Sequence, residues 1–332
     1  MALKNKVLAV LEENKGKSVS GNEIAKSVGM TRSAVWKAVK QLRSEGYTIL
    51  AATNKGYCLT EDNDFMSEQS VYEHLTTVQI GRKIDIFKNI DSTNNFAKSL
   101  AQLGAEHGTT VISEVQSQGK GRMGRSFHSP MGLGIYLSVV LRPKLSVEHS
   151  LLITSCAAVA VAEAIEKVTG LECSIKWVND IYVKGKKAAG ILVESCLDKD
   201  GSLSYAVLGI GVNLLPPTGG FPPMPTSPTA IFSEEKRAEL PALKDRLIRS
   251  ILLHFAPLYD AFPDTAFLTE YRRRSLLIGR DVRVYDALTD REKAKGGTPA
   301  HVLDVTDAGE LLVLYEDGKK ESLSSGEVTL GL

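Results

Sequence analysis

Residues 119–125 read Gly-Lys-Gly-Arg-Met-Gly-Arg, three glycines and three cations in seven positions. Glycine lets a backbone reach positive φ and approach a ligand closely, and the cations make the loop electropositive. Alone, the pattern fits a solvated basic loop, a nucleic-acid contact or an anion site. Further along come Lys176-Trp177-Val178-Asn179-Asp180 and then Lys187-Ala188-Ala189-Gly190-Ile191-Leu192-Val193-Glu194. Two charged, glycine-bearing segments, each beside an apolar run, point to one site for an anionic ligand. A third polar cluster, Asp91-Ser92-Thr93-Asn94-Asn95, follows the strand-like Ile84–Phe87. Ser, Thr and Asn at a strand-to-helix junction cap the helix, and they also suit a polar ligand head at the free N–H groups of its start. Both roles are compatible.

The elements that must carry these segments begin with an N-terminal unit, residues 1–62. Val7, Leu8 and Leu11 mark one helix; Gly21 to Val28 marks a second, ended by Gly29. Thr31 is the N-cap expected for a third, in which Val35, Ala38, Val39 and Leu42 recur at helical spacing. Its other face holds Arg32, Ser33, Trp36, Lys37, Lys40 and Arg43. Two short strands around Asn54-Lys55-Gly56 complete a winged helix-turn-helix. This unit has ten Lys/Arg against six Asp/Glu, an excess of four; the rest of the chain is then at −3 within the overall +1. That asymmetry supports DNA binding through Arg32, Ser33, Lys37, Lys40 and Lys55, and the near-neutral total excludes a uniformly basic coat. Trp36 fits a wing or domain contact as well as a DNA contact.

Residues 63–83 read as a linker and bridging helix, and 84–275 as strands mixed with helices. Thr109–Val115 runs into the glycine-rich loop, Ile135–Leu141 is an apolar strand, and Ser146–Val168 is a buried helix. Strands at Gly190–Cys196 and Leu203–Val212 flank an Asp198–Gly201 turn, and Pro216–Pro228 is a surface loop. Without regular βαβ units the expected fold class is α+β, a mixed, mostly antiparallel sheet with helices against it. Short strands from Asp281 onward imply a small C-terminal β-barrel, residues 276–332. The four widely spaced cysteines read as reduced thiols, and the six histidines lack metal-ligand spacing. No apolar run is as long as a membrane span, so no membrane partner and a cytoplasmic location are expected.

These motifs, in this order, resemble the biotin–protein ligase family, and with the winged helix its bifunctional ligase–repressor branch. The matching residues are Ser92-Thr93-Asn94, Gln116 with Gly119–Arg125, Lys176–Asp180, Lys187-x-x-Gly190 through Glu194, and Gly209-Ile210-Gly211-Val212-Asn213. The resemblance implies a class II synthetase-like central sheet and an SH3-like C-terminal barrel. It implies ATP, Mg²⁺ and biotin as ligands, a biotin carboxyl carrier protein and operator DNA as partners, and a homodimer when adenylate is bound. Biotin's carboxylate would attack the α-phosphorus of ATP, and a carrier lysine would then take the biotinyl group. Ser92, Thr93, Asn94, Gln116, Gly119, Lys120, Gly121, Arg122, Lys187 and Gly190 would hold biotin or its adenylate. Arg125, Phe127, Asn179, Asp180 and Asn213 would lie on the nucleotide side, with Phe127 as an aromatic lid. Lys187, rather than its neighbour Lys186, would be the main electrostatic catalyst, with Arg122; Asp180 would ligate magnesium or help deprotonate the carrier lysine.

Three positions depart from the family pattern. Val178 stands where proline is usual, which removes no polar group. Lys120 stands where arginine is frequent, keeping charge without fork geometry. Gly331 lies where a nucleotide-contacting arginine is sometimes found. A carboxylate is already ionised at neutral pH, so the first step needs charge neutralisation and alignment rather than a general base. This suits a chain rich in cations with no Ser-His-Asp or Cys-His set. A biotin-sensing repressor without chemistry and a lipoate-type acyl ligase on the same scaffold are the alternative functions.

Overall fold

The computed structural model describes residues 3–44, 47–52, 55–60, 75, 79–143, 150–199, 202–224, 226–285 and 296–330. The expected bridging helix falls mostly outside these residues, as do Gly331 and the tip of the Asp198–Gly201 turn.

The N-terminal unit has helices α1 (Leu3–Glu13), α2 (Gly21–Val28) and α3 (Arg32–Ser44), and an antiparallel wing, β1 (Ile49–Ala52) with β2 (Gly56–Leu59). Val7, Leu11, Ile24, Val35 and Leu42 form its fully buried centre. A capping box starts α2: Ser20 accepts from the Glu23 amide, and Glu23 accepts from that of Ser20. Gly29, at φ 67°, ends the helix in the left-handed region that favours glycine. Arg32, Ser33, Lys37, Lys40 and Lys55 are all exposed. Trp36 is exposed too, with the Lys40 ammonium 5.4 Å from its ring centre.

The central sheet has seven strands in the order β3-β4-β5-β9-β8-β7-β6. They span Ile84–Phe87, Thr110–Ser113, Gly134–Leu141, Cys173–Lys176, Asp180–Val183, Lys186–Leu197 and Leu203–Asn213 for β3 to β9 in chain order. Only β3 and β4 run parallel; every other neighbouring pair is antiparallel. The expected mixed, mostly antiparallel sheet is present, and the hairpin of β6 and β7 is an addition to the expected strands. One face is covered by α5 (Ser150–Thr169), apolar nearly all round, and by α6 (Leu240–Asp260). The other carries α4 (Thr93–Gln102), packed through Ala97 and Ala101 on Val111, Val140 and Val207. The site develops on this second face, beyond the start of α4. Arg142 closes the far end of α4 by donating to the carbonyls of Ala101 (2.6 Å) and Ala105 (3.0 Å).

A short helix, α7 (Phe267–Arg273), leads to strands β10 to β14: Asp281–Tyr285, Thr298–Val305, Leu311–Tyr315, Lys320–Leu323 and Glu327–Leu330. Their order is β13-β12-β11-β10-β14, and among the described residues the outer strands β13 and β14 are not paired with each other. The expected barrel is thus an antiparallel sheet without detected closure. Its Val302, Val305, Leu311 and Val313 share one continuous core with the central sheet. The Trp177 indole donates to the carbonyl of Gly309 at 3.0 Å, pinning the β11–β12 turn against the central unit.

Glu114, just past β4, forms an ion pair with Lys244 of α6, both side chains being almost wholly buried. Breaking such a pair from one side strands a charge. Lys244→Ala is expected to lower the stability of the central unit by about 3–5 kcal/mol in urea unfolding, whereas Glu114→Gln with Lys244→Met recovers most of it.

Candidate active site

The cationic loop is a lobe closed on itself. The Gly121 amide donates to the Arg125 carbonyl at 2.7 Å, and the Phe127 amide to the Gly119 carbonyl at 2.8 Å. Met123 (φ 54°) and Gly124 (φ 72°) make the tip. Gly119 forms the neck: a Cβ there would lie 2.4 Å from the Phe127 carbonyl oxygen and 2.5 Å from Ser129 Oγ. It is the one expected contact residue that does not line the cavity described below.

Lys187 reaches the same place from the start of β8. Regular alternation would put residues 187 and 190 on opposite faces of a strand. The ladder has Tyr182 opposite Lys187 and Ile181 opposite Ala189, leaving Ala188 as a bulge. The extra residue turns Lys187 to the face of Gly190, where a glycine Cβ would lie 3.3 Å from Lys187 Cε. Lys186 is exposed, whereas Lys187 is half-buried and lines the cavity described below. The Lys187 ammonium meets Asp180 Oδ1 at 2.7 Å, a charge contact rather than an aligned hydrogen bond.

These groups share one cavity of about 740 Å³. Lys120, Arg122, Arg125, Lys176 and Lys187 line it, with Asp180 and Glu327 as its carboxylates. Arg122 donates to Asn179 Oδ1 at 3.1 Å and to the Gly326 carbonyl at 3.5 Å, and Arg125 pairs with Glu327. Burial lowers the pKa of Arg122 and of Lys176, while Asp180 and Glu327 pull both back up. The wall therefore holds net positive charge in a partly desolvated setting, where a counter-anion is strongly favoured.

The opposite end is neutral. Ser92, Thr93, Asn94 and Gln116 line it beside Leu137, Leu192 and Ile210. Gln116 accepts from the Thr93 amide (2.8 Å) and donates to Ser129 (2.9 Å). Ser92 Oγ is buried and has no hydrogen-bond partner, so it is free for a ligand. Between the two ends the half-buried Phe127 ring lies on bare backbone, 2.6 Å from where a Gly211 Cβ would be. Asn179 and Asn213 also line the cavity, their amides donating to the carbonyls of Ile191 (2.8 Å) and Thr229 (3.1 Å). The Trp177–Val178 peptide, at the proline position of the motif, is cis.

Sequence reasoning missed two walls. Glu327, at the start of β14, was not among the candidate residues. Phe221, Pro223, Met224 and Pro228 come from the supposed surface loop, which is stitched to β8 by the Lys187 amide donating to the Ser227 carbonyl at 2.9 Å. The lysine's own backbone position signals that contact only in three dimensions.

An α+β unit with a cationic, glycine-floored cavity, joined to a winged helix, defines a ligase-type domain carrying a DNA-binding module. Residues 86–213 match the Biotin/lipoate A/B protein ligase family, and residues 4–58 match an HTH domain. The bifunctional ligase/repressor BirA of Bacillus spizizenii is 31% identical over 334 residues, 99% of each chain. The biotin--[acetyl-CoA-carboxylase] ligase of Mycobacterium tuberculosis is 28% identical, over 79% of this chain and 95% of its own. The biotin protein ligase from Aquifex aeolicus, solved in complex with biotin and ATP, superposes with a TM-score of 0.57 at 25% identity, over 75% of this chain and 99% of that one. The chain belongs to the family of the bifunctional ligase/repressor BirA.

The neck glycine gives a direct test of the lobe. Gly119→Ala forces backbone apart rather than a flexible side-chain tip, so kcat/KM for ligand activation is expected to fall about a hundredfold while the melting temperature changes little.

Proposed function

We propose that the protein joins biotin to ATP, forming biotinyl-5′-adenylate and pyrophosphate, then transfers biotin to a lysine of a biotin carboxyl carrier protein with release of AMP. Its winged helix makes it, in the same reading, a biotin-responsive transcriptional repressor. The observation that carries the proposal is the convergence of the 119–125 lobe and Lys187 on one cavity.

In the first step a carboxylate oxygen bonds to the α-phosphorus as the bridging oxygen to pyrophosphate departs. Both reactants are anions, so the barrier is lowered by aligning them and screening their repulsion. Lys187 sits to touch both carboxylate and phosphate oxygens; Lys120, Arg122 and Arg125 hold phosphate charge. Phe127 covers the joint and limits water access to the mixed anhydride. Ser92, Thr93, Asn94 and Gln116 take the polar ring of biotin, while Asn179 and Asn213 face the nucleotide. In the second step the carrier's amine attacks the acyl carbon, the bond to AMP breaks, and the amine proton must leave; Asp180, the carboxylate in contact with Lys187, is assigned to take it. The carboxylates do not make a resident metal cage: among the described residues no three His, Cys, Asp or Glu cluster. Magnesium enters this reading with the nucleotide, as part of the substrate.

The division into a DNA-binding domain (1–62), linker (63–83), catalytic domain (84–275) and C-terminal domain (276–332) belongs to the same proposal. So does a homodimer that assembles on adenylate formation and sets two α3 helices on a pseudo-palindromic operator.

Lys187→Met is expected to cut biotin-dependent ATP–pyrophosphate exchange by about 10²–10³-fold, with mass spectrometry of an apo carrier domain showing the matching loss of biotinylation. Asp180→Asn should slow transfer from preformed adenylate; unchanged transfer removes Asp180 as the proton acceptor.

Replacing Lys37 and Lys40 by Ala should weaken operator binding and flatten its salt dependence by up to about two units of slope, leaving exchange unaltered. Sedimentation should show the dimer only with adenylate present, and a ligand-bound monomer at high concentration contradicts that part of the proposal.

A further inference from the structure

Helix α3 carries one large side chain that neither the core nor the cavity uses. Trp36 is 53% exposed, while Val35, Ala38, Val39 and Leu42 of the same helix are buried. An indole left in water is apolar area unspent, and tryptophan in such a place is typical of a surface that a partner covers. Among the described residues its ring contact is the Lys40 ammonium, 5.4 Å from the ring centre, and not the wing or another domain.

Successive residues of a helix turn by about 100°. With Arg32 at zero, Trp36 falls at about 40°, Lys40 at about 80°, Ser33 at about 100° and Lys37 at about 140°. All five are exposed. The buried stripe is centred near about 290°, on the far side. The exposed arc thus has a middle of Trp36, Lys40 and Ser33, and a cation at each rim, Arg32 and Lys37. Arg43 is tied to the wing instead, donating to the Ile49 carbonyl at 2.7 Å. A helix in the major groove meets phosphates at its flanks and base edges along its middle. The two cationic rims match the two phosphate strands that wall the groove, and residues 1–62 carry an excess of four positive charges. The partner that covers Trp36 is therefore the duplex itself.

Indole has one N–H donor and no acceptor. It cannot receive the amino groups that adenine and cytosine show in the major groove. Guanine and thymine show only acceptors there, and thymine adds a methyl group that covers the apolar face of a ring. We infer that Trp36 is a specificity-determining residue of the DNA-binding face, entering the major groove and packing on a thymine methyl group in each half-site. The inference rests on the repressor reading and names the side chain that reads bases, where Arg32 and Lys37 hold phosphates.

The probe is the duplex that the full-length protein, with biotin and Mg·ATP present, selects from a random-sequence pool. Exchanging a thymine for deoxyuridine deletes one methyl group and nothing else. At the position under Trp36 this exchange is expected to weaken wild-type binding about fourfold per half-site, the worth of one buried methyl. Trp36→Ala should weaken binding to the selected duplex roughly tenfold per half-site and abolish the deoxyuridine effect. Binding to unselected DNA, and its salt slope, should stay as they are. Trp36→Phe retains an aromatic face and should retain the deoxyuridine effect. The unmodified protein gives an independent reading: Trp36 is the exposed one of two tryptophans, so acrylamide quenching should fall when the selected duplex binds. Deoxyuridine sensitivity that survives in Trp36→Ala, equal losses on selected and unselected DNA, or quenching undiminished in the complex each overturn the assignment. So does a Trp36→Ala protein that keeps its DNA preference but no longer dimerises, which gives the ring to a protein contact. A wild-type protein that selects no sequence at all overturns instead the repressor reading on which the inference rests.

Discussion

Five cations around one cavity repel one another, and the site is organised by what holds them together. Burial depresses the pKa values of Arg122 and Lys176, because their charge is costly in a partly desolvated wall, and nearby carboxylates oppose that shift. Asp180 and Glu327 provide the opposition, from two different sheets. Asp180 begins β7 of the central sheet; Glu327 begins β14 of the C-terminal sheet. Docking of that last sheet thereby completes the electrostatics of the cavity as well as its shape, since Gly326 also accepts from Arg122. The carboxylate contacts of Lys187 and Arg125 are the ones a phosphate can replace, because they offer the same charge in the same places.

Much of this was legible in the residues themselves. Glycines and cations alternating in 119–125 specify a lobe that bends sharply and carries charge, whatever surrounds it. The N-terminal unit was equally plain, because the helix end at Gly29 and the stripe from Val35 to Leu42 are local signals, although the capping box at Ser20 was passed over. The hidden parts are those set by tertiary contact. Glu327 sits in a four-residue strand after Ser-Ser-Gly, a context with no feature of its own, and matters through the cations it meets in the fold, Arg125 directly and Arg122 and Lys176 by charge. Proline and glycine in 216–228 describe a backbone without regular structure; they say nothing about the loop lying on β8. Alternation of apolar residues after Asp281 announces strands, but closure depends on whether β13 meets β14, which no periodicity encodes.

The two ends of the cavity obey different physics. At the charged end, interactions are long-ranged and tolerate lateral error, so lysines and arginines on a bending lobe suffice. At the neutral end Ser92, Thr93 and Asn94 are buried and Gln116 half-buried, and such groups call for donor-to-acceptor matching, so they sit at a helix start and just past a strand. The glycines mediate between these regimes. Gly190 and Gly211 give Lys187 and Phe127 a floor of bare backbone, and Gly209 does the same for Asn94. Any Cβ at 209 or 211 would occupy the space those side chains need.

One strand links both ends. Gly190, Leu192 and Glu194 alternate onto the site face of β8, and Lys187 joins them only because Ala188 is bulged out of the ladder with β7. Without the bulge, the spacing of three residues would send the lysine into the apolar side of the sheet, against α5. The requirement for Lys-x-x-Gly is thus a requirement for an irregular strand. It ties both ends of the cavity to one register: a slip of β8 by one residue against β9 would exchange the faces of Lys187 and Glu194 together. The apolar partners on the covered face, Ala188, Ala189, Ile191 and Ile210 among them, are what forbid that slip, since each is buried in the present register.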